Sequence, residues 1–432
     1  RAASNLALKP PKTIIIHTVS KNSNWNNDWI RRWLRRYVPE WQQMVIKDSS
    51  KYLGFHLGPG AGANQWKEAM AKFAERVVDL RHLALPLRLA INRYNYKILP
   101  VLGYIGQLAL PPPNMCRLEL TAILKALKFA GNSMTCETAY TMDALLGFTP
   151  TRPSVYLEAC MLRSSLKTFV GFEDMHKSLL FVSESSSCLA HAFNSSNIIP
   201  TGWDSPAFCS NLFHAVKFNG LQHASKFKPQ LDKAIKLWKR KPKGTTLQKL
   251  CYNTLHNEIS KCGQWTNFIS GKLDTLDPTV SQGITFTTDM WDLLRSDIRK
   301  SPSPTQTCFL KTVINSWATS YRYGEVPLLP CILGCKEEKD ELQHYLMCPS
   351  LWTLAVSACG LPSPFLSRPP LERLCIINRS PASLRLLSVV FRAYHALRLG
   401  HRGLIDDGIT HEVFDSILLK YLAICVEFDR HQ

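Results

Sequence analysis

Three cysteines and one histidine lie close together in the last third of the chain, at a spacing that suits a metal ion. They are Cys331, Cys335, His344 and Cys348, in the pattern Cys-x3-Cys-x8-His-x3-Cys. Three thiolates and one imidazole complete the tetrahedral shell that a structural Zn²⁺ prefers. Because no open coordination position would remain, such a site stabilises a fold or a docking surface rather than a reaction centre. The alternative is a chance cluster, since the chain has 14 cysteines and 13 histidines.

The residues around the four candidate ligands predict how the chain must fold to bring them together. Gly334, between the first two cysteines, suits the tight turn that a metal-binding loop needs. The polar stretch Lys336–Asp340 predicts a solvent-exposed loop. His344 and Cys348 are four residues apart and would lie one turn apart on a helix. A helix is predicted before the site, over Phe309–Ser320.

The rest of the chain predicts a mostly α fold with a small β element at the N-terminus. The β-branched run Ile14–Val19 predicts a strand, and Tyr52, Phe55 and Leu57 predict a second strand. From Asn64 onward the apolar residues repeat with a helical period. One long helix is predicted to start near Asn64. The other main helices are predicted over Pro86–Ile98, Met115–Phe129, Val155–Phe172, Ala382–Leu399 and Glu412–Glu427.

The net charge of the chain favours a polyanionic partner. Lysine and arginine number 52 against 33 acidic residues, which gives a formal net charge of +19. Nucleic acid is the first partner class that such a surplus suggests, and an anionic membrane surface is the second. No apolar run approaches the ~20 residues needed to span a bilayer. Of the two partner classes, nucleic acid is expected and a membrane is not. The cysteines are scattered and no signal peptide precedes them, which favours reduced thiols in the nucleus or cytosol.

A tryptophan- and arginine-rich stretch near the N-terminus is the first candidate for nucleic-acid contact. Trp25, Trp29 and Trp33 share one helical stripe. Four arginines are interleaved with them: Arg31, Arg32, Arg35 and Arg36. In one interpretation the rings stack on bases and the guanidinium groups contact phosphate. In the other, which we prefer for the tryptophans, the rings are buried and the arginines face solvent.

A second basic segment lies in the middle of the chain. Its candidate phosphate contacts are Lys236, Lys239 and Arg240, within a dense run of lysines between residues 226 and 243. The functional interpretation is a face that follows a phosphate backbone. A solvated helix face or a flexible basic linker is an equal alternative.

Several stretches, in this order, resemble the C-terminal part of non-LTR (LINE-type) retrotransposon reverse transcriptases. Leu8–Thr13 resembles the palm segment that follows the catalytic aspartates. Tyr52-Leu53-Gly54 and the helix after it resemble the junction of palm and thumb. Asn315–Arg322, leading into the cysteine–histidine array, resembles the CCHC zinc-knuckle region. In many family members four residues, rather than three, separate the histidine from the last cysteine.

The resemblance implies part of an RNA-directed DNA polymerase. The family uses two Mg²⁺ ions about 4 Å apart, held by carboxylates on an aromatic-Ala-Asp-Asp hairpin and an earlier strand. Neither element is found in this chain, so Mg²⁺ belongs to the intact polymerase and the chain alone is predicted to be inactive. Asp406-Asp407 comes too late in the order and is interpreted as a turn. Lys12 matches the palm lysine placed near the incoming nucleotide, and a solvent-facing turn lysine is the alternative.

The resemblance also implies a division of the chain into five segments. Residues 1–62 would be the palm remnant and its junction, 63–150 a thumb-like helical bundle, and 151–300 a helical basic linker. Residues 301–352 would hold the zinc knuckle, and 353–432 would form C-terminal helices. The expected partners are template–primer RNA and DNA, target DNA and the upstream polymerase segment. The expected location is the nucleus, with cytoplasmic assembly on the element's own transcript.

Two other hypotheses remain beside the polymerase fragment. The chain could be a domesticated or decayed nucleic-acid-binding module without enzymatic activity. It could also be a zinc-stapled helical scaffold that binds protein, in which case no salt-dependent RNA binding is expected.

Overall fold

The computed structural model of the chain confirms the mostly α fold with a few short N-terminal strands. It describes residues 13–16, 24–47, 49–57, 62–83, 85–107, 109, 111–112, 114–168, 236, 238–240, 246–259, 264–276, 287–335, 338–376, 381–400 and 416. Helices account for 67% of these residues. No helix in this part of the chain combines the length and apolarity needed to cross a bilayer.

The helices vary from single turns to a final helix of 20 residues. They run Asn24–Tyr37, Gly62–Gln65, Lys67–His82, Leu87–Arg93, Pro100–Gly103, Met115–Ala126, Cys136–Ala139, Asp143–Leu146, Pro153–Thr168, Leu247–Ile259, Gln264–Leu276, Thr288–Lys300, Ser303–Val313, Ser320–Tyr323, Leu342–Met347, Pro349–Ala358, Pro370–Arg373 and Pro381–Gly400. Shorter 3₁₀ turns occur at Pro39–Trp41, Ile105–Gln107 and Ser363–Ser367, and a π-helical turn at Tyr94–Ile98.

The described strands form two small two-stranded sheets. Strand β1 (Ile14–Ile16) pairs in parallel with β2 (Val45–Lys47). Strand β3 (Ser50–Tyr52) pairs antiparallel with β4 (Phe55–Leu57). The prediction of one strand over Tyr52–Leu57 is wrong, because Leu53 and Gly54 have φ angles of +47° and +88° and close a hairpin there. Two successive positive φ angles are typical of the tightest hairpin turns.

The described residues divide into two compact units that alternate along the chain. The first unit draws on Arg1–Arg76, Lys97–Cys116 and Arg152–Ile259, and the second on Val77–Tyr96, Arg117–Thr151 and Ser260–Gln432. The five segments expected from the resemblance stay predictions.

In the first unit, two helices pack along each other. Helix Pro153–Thr168 contacts Leu247–Ile259 and the turn Ile105–Gln107. Leu157 and Leu255 are fully buried between these elements. Tyr252 accepts a hydrogen bond at 3.0 Å from the backbone N–H of Arg152, which joins the start of one helix to the middle of the other.

In the second unit, the core that positions the cysteine–histidine array lies between helix Ser303–Val313 and helix Pro381–Gly400, which we call the closing helix. The prediction of a helix over Phe309–Ser320 is wrong. The helix ends at Val313, and Asn315 adopts a left-handed φ of +51° before a new turn begins at Ser320. The break turns Trp317 into the core, where it is fully buried. The closing helix confirms the predicted helix Ala382–Leu399, whereas Glu412–Glu427 falls outside the described residues apart from position 416.

Candidate metal centre

The four candidate ligands converge on one point. One ligand atom from each of Cys331, Cys335, His344 and Cys348 lies within 4.8 Å of the others. The Sγ atom of Cys348 is 4.0 Å from that of Cys331 and 3.6 Å from that of Cys335. Two sulfurs bound at about 2.3 Å to a tetrahedral zinc ion lie about 3.8 Å apart. The cluster could therefore hold a metal ion without large rearrangement.

A tight turn and a short antiparallel contact shape the first half of the metal loop, which we define as Cys331–Cys348. Gly334 has a φ of +76°, and its N–H donates to the Cys331 carbonyl at 3.1 Å. The N–H of Leu333 points to the Cys331 sulfur at 3.4 Å. On the other side, the N–H of Cys331 donates to the carbonyl of Glu338 at 2.8 Å. Gly334 thus has the role that its position between the cysteines predicts.

His344 is oriented by a carboxylate and presents its other nitrogen to the cluster. It lies on helix Leu342–Met347, one turn before Cys348. Its Nδ1 is 3.3 Å from the Glu338 carboxylate. Its Nε2 is buried and has no hydrogen-bond partner. Buried nitrogens are normally paired, so the orphaned Nε2 is what a metal ligand is expected to look like in the protein alone.

The electrostatics of the cluster favour the thiolate form of one ligand cysteine. A hydrogen bond from the Cys348 thiol lowers the pKa of Cys331, although burial opposes this shift. The same bond and burial raise the pKa of Cys348. Burial acts against protonation of His344, but the Cys331 thiolate and the Glu338 carboxylate outweigh it and raise the pKa of His344. Cys331 is thus the ligand whose thiolate form is favoured, and the thiolate is the form of cysteine that binds a metal ion.

A buried carboxylate ties the metal loop to the closing helix. Asp340 has no exposed surface. Its carboxylate accepts hydrogen bonds from the Ser320 N–H at 2.7 Å and the Tyr394 hydroxyl at 2.9 Å, and it lies 3.5 Å from Nε of Arg398. Arg398 also pairs with Glu325 at 3.0 Å. The prediction of a solvent-exposed loop over Lys336–Asp340 is therefore wrong for Asp340, because these partners replace its water.

Aromatic rings fill the space between the metal loop and the closing helix. Trp317 lies 4.9 Å from the ring of Tyr394, and Tyr345 lies 4.4 Å from the same ring. The Tyr345 hydroxyl accepts the N–H of Ile332 at 3.1 Å, and its carbonyl accepts the Trp352 indole N–H at 3.0 Å. The metal loop is thus one face of an aromatic core.

The N-terminal arginines lie on helix Asn24–Tyr37, which we call the aromatic–arginine helix. All four arginines are exposed. The prediction that the tryptophans are buried is wrong for Trp29 and Trp33, which are 55% and 44% exposed. Tyr37, one further turn along, is 59% exposed. The apolar contact of this helix is made instead by Leu34, which is 4% exposed.

The remaining predicted residues are not members of the cluster, or they fall outside the described part of the chain. Lys236, Lys239 and Arg240 are exposed on a short helical stretch. Lys12 and the pair Asp406-Asp407 lie outside the described residues.

Comparisons with known proteins identify no family for this chain. No protein-family model matches it, and a search among curated proteins also finds no match.

Glu338, Asp340 and Arg398 support the site and were missed by sequence reasoning. Glu338 and Asp340 belong to a polar run that reads as an ordinary loop. The partner hydroxyl of Asp340 is 54 residues away along the chain. No local signal could have found that contact.

Proposed function

We propose that this chain binds polynucleotide, as the thumb and knuckle region of a non-LTR retrotransposon reverse transcriptase would. The observation that carries the proposal is the exposure of the aromatic–arginine helix. Three rings, Trp29, Trp33 and Tyr37, follow one another at four-residue spacing and remain in solvent. A large apolar ring left in water is better explained by a partner than by the fold.

The arginines beside these rings complete a surface that suits nucleic acid. None of Arg31, Arg32, Arg35 and Arg36 forms an ion pair with a described residue. Their contacts within the protein are weak or local: Arg31 donates to the Gln42 carbonyl at 3.0 Å, and the Arg36 guanidinium lies 5.4 Å from the Tyr37 ring. Unpaired guanidinium groups can bind phosphates while the rings stack on unpaired bases.

The resemblance supplies the context for this binding. In a polymerase of that family, such a surface would hold the template–primer while carboxylates elsewhere carry out phosphoryl transfer with Mg²⁺. The role proposed for the described residues is binding only.

A titration against ionic strength tests the proposed binding. We would measure the affinity for labelled RNA of the wild-type chain and of two double variants. These are Arg32→Gln/Arg36→Gln and Trp29→Ala/Trp33→Ala. The arginine variant should flatten the slope of log affinity against log salt by about 0.7 to 0.9 per lost phosphate contact. The tryptophan variant should weaken binding by about 5- to 100-fold per lost stack, with little change in slope.

The control for this experiment is Arg81→Gln, an exposed arginine on helix Lys67–His82. This variant should leave both the affinity for RNA and its salt slope nearly unchanged. Salt-independent or absent RNA binding by the wild-type chain would favour the protein-binding scaffold. The decayed-module hypothesis predicts the same salt-dependent RNA binding as the polymerase-fragment hypothesis. An intact aromatic-Ala-Asp-Asp motif upstream in the same reading frame would argue against the decayed module.

We further propose that the ion of the metal centre is Zn²⁺, held by Cys331, Cys335, His344 and Cys348. Three sulfurs and one imidazole nitrogen are soft donors that suit zinc and leave no position for a substrate. When bound, the ion would supply structural cross-linking of the metal loop. The chain's own residues shape the site, since Glu338 orients the imidazole and Gly334 makes the turn.

Elemental analysis tests the zinc proposal. The wild-type chain should contain about one zinc per chain, and Cys335→Ser should contain much less because one of four ligands is lost. Cys116→Ser is the matched control, since Cys116 is an exposed free cysteine outside the cluster. Equal zinc in Cys335→Ser and wild type would contradict the assignment.

A further inference from the structure

A short loop in the second unit, Lys128–Asn132, is fixed in an uncommon conformation by two contacts. Lys128 and Asn132 both have a left-handed φ of +58°. The N–H of Ala130 donates to the Ser316 hydroxyl at 2.7 Å, and the Arg322 guanidinium donates to the Gly131 carbonyl. These bonds join the loop to the segment that leads into the metal loop. Non-glycine residues in this region of φ are strained, so the loop shape is imposed by its surroundings.

Four cations lie around this loop without a carboxylate partner. Lys128, Lys272, Lys311 and Arg322 make no ion pair with any residue that the structure describes. Each of the two partly buried lysines lies near an aromatic ring. Lys272 Nζ is 5.6 Å from the centre of the Phe268 ring, and Lys311 Nζ is 6.0 Å from the centre of the Phe391 ring. Lys128 belongs to the loop and Arg322 is bonded to it, and the charges of these two residues act on Lys311 and Lys272 respectively.

The like charges in this region oppose one another. Burial lowers the pKa of Lys272, and the charge of Arg322 lowers it further. Burial also lowers the pKa of Lys311; the neighbouring Cys308 opposes this shift, and the charge of Lys128 adds to it. Enclosed cations without a counter-charge are costly, and a bound anion would offset that cost.

Two exposed tyrosines flank the central arginine. Tyr321 and Tyr323 are 58% and 63% exposed, on either side of Arg322 in the sequence. They differ from Tyr345 and Tyr394, which are fully buried in the adjacent aromatic core. Exposed rings beside unpaired cations are the combination that binds single-stranded nucleic acid, because the rings stack on bases and the cations contact phosphate.

We propose that Lys128, Lys272, Lys311 and Arg322, with Tyr321 and Tyr323, form a second polynucleotide-binding surface for a single strand of RNA or DNA. The ligand is recognised by its phosphodiester backbone and its unpaired bases. The choice of nucleic acid as ligand class rests on the proposed function. The surface itself is independent of the aromatic–arginine helix, because it lies on the other compact unit.

Two double variants test this surface; three of their four positions are exposed and the fourth, Lys272, is partly buried. They are Tyr321→Ser/Tyr323→Ser and Lys128→Gln/Lys272→Gln, compared with the controls Tyr96→Ser and Lys249→Gln. Tyr96 is 77% exposed in the same unit as the proposed surface, and Lys249 is exposed on helix Leu247–Ile259. Circular dichroism would verify that each variant is folded. Arg322 is left intact because it donates to the Gly131 carbonyl and fixes the loop, and Lys311 is left intact because it lies against the Phe391 ring of the closing helix.

The measurement is binding of the full chain to labelled oligouridylate, oligothymidylate and a duplex over a range of salt. The tyrosine variant should bind both single strands about 5- to 100-fold more weakly and the duplex almost unchanged. The lysine variant should flatten the salt slope by about one to two units. Oligouridylate and oligothymidylate should respond alike, since stacking tolerates every base.

Three outcomes would overturn the inference. In the first, both double variants bind single strands as tightly as the wild type. In the second, the control variants weaken single-strand binding as much as the double variants do. In the third, the tyrosine variant loses single-strand and duplex binding equally. These results differ from failure of the proposed function, in which the wild-type chain binds no polynucleotide at all.

Discussion

The metal-centre region and the aromatic–arginine helix use the same residue types for opposite purposes. Around the metal loop, Trp317 and Trp352 are buried, and their indole N–H groups donate to Thr312 and to the Tyr345 carbonyl at 3.0 Å. On the aromatic–arginine helix, Trp29 and Trp33 stand in solvent. Residue type therefore does not decide whether a tryptophan stabilises the fold or remains available to a partner.

The arginines of the two regions differ in the same way. Arg373 donates to the carbonyls of Leu346, Leu366 and Arg368 and lies 4.7 Å from the Trp352 ring. Arg398 pairs with Glu325 and lies beside the buried Asp340. The arginines of the aromatic–arginine helix have no such acidic partners among the described residues. A guanidinium that donates to several groups within the fold holds structure together, whereas one with most of its donors free can bind a ligand.

The largest effect that separates the two regions is expected at Trp317. Trp317→Ala removes a fully buried indole and its hydrogen bond, and should lower the free energy of unfolding by about 3 to 5 kcal/mol. Chemical denaturation followed by circular dichroism would measure it. Trp317→Phe should cost less, because it keeps part of the ring contact. A loss below about 1 kcal/mol in Trp317→Ala would show that this core is loosely packed.

A smaller, pH-dependent effect is expected at His395 on the closing helix. Its Nδ1 lies 2.8 Å from the Phe391 carbonyl and its Nε2 accepts the Ala318 N–H at 3.4 Å, so the ring is held in one neutral tautomer. Burial, together with the charge of Lys311, lowers its pKa from 6.5 to about 4. The unfolded chain therefore binds the extra proton between these values, and stability falls as the pH drops from about 6.5 towards 4.

The size of this effect should be on the order of 2 to 3 kcal/mol between the two ends of the window. It would be measured as the difference in unfolding free energy between wild type and His395→Gln at each pH, which cancels the titration of other groups. His82→Gln, at an exposed histidine, is the matched control. A difference that does not vary with pH would mean that His395 has the same pKa in the folded and the unfolded chain.

The smallest effect on stability is expected at Trp33. Trp33→Ala should change the free energy of unfolding by no more than about 0.5 kcal/mol, because 44% of this residue is already in water. Leu34→Ala on the same helix should cost about 2 kcal/mol or more, since Leu34 is 4% exposed. Thermal or chemical denaturation of the two variants side by side would check this. Equal losses would mean that the tryptophan belongs to the fold after all.

The metal ligands could be predicted from the sequence because their signal is local. All four lie between positions 331 and 348, and the spacing, the glycine turn and the helical separation are readable from neighbouring residues. The closing helix was predictable for a similar reason, since its apolar residues repeat over 20 positions. Local patterns of this kind depend on neighbouring residues and not on contacts with distant parts of the chain.

The errors come from contacts between residues distant in sequence. Trp29 and Trp33 form a stripe that would suit burial, and only the absence of a covering element among the described residues leaves them exposed. Asp340 sits in a polar run, and only Tyr394 and Arg398 reveal that it is buried. The helix predicted through Asn315 breaks because burial of Trp317 outweighs the helical pattern.

The alternation of the two compact units along the chain has a consequence for synthesis and for dissection. Neither unit can be cut out as one continuous piece, because each is assembled from three separated stretches. As the chain leaves the ribosome, residues 77–96 and 117–151 emerge long before their partners after position 260, so the second unit cannot assemble until those later residues have been made. Truncation at any single boundary would separate part of one unit from the rest of that unit. The whole chain should therefore be expressed to obtain a folded product.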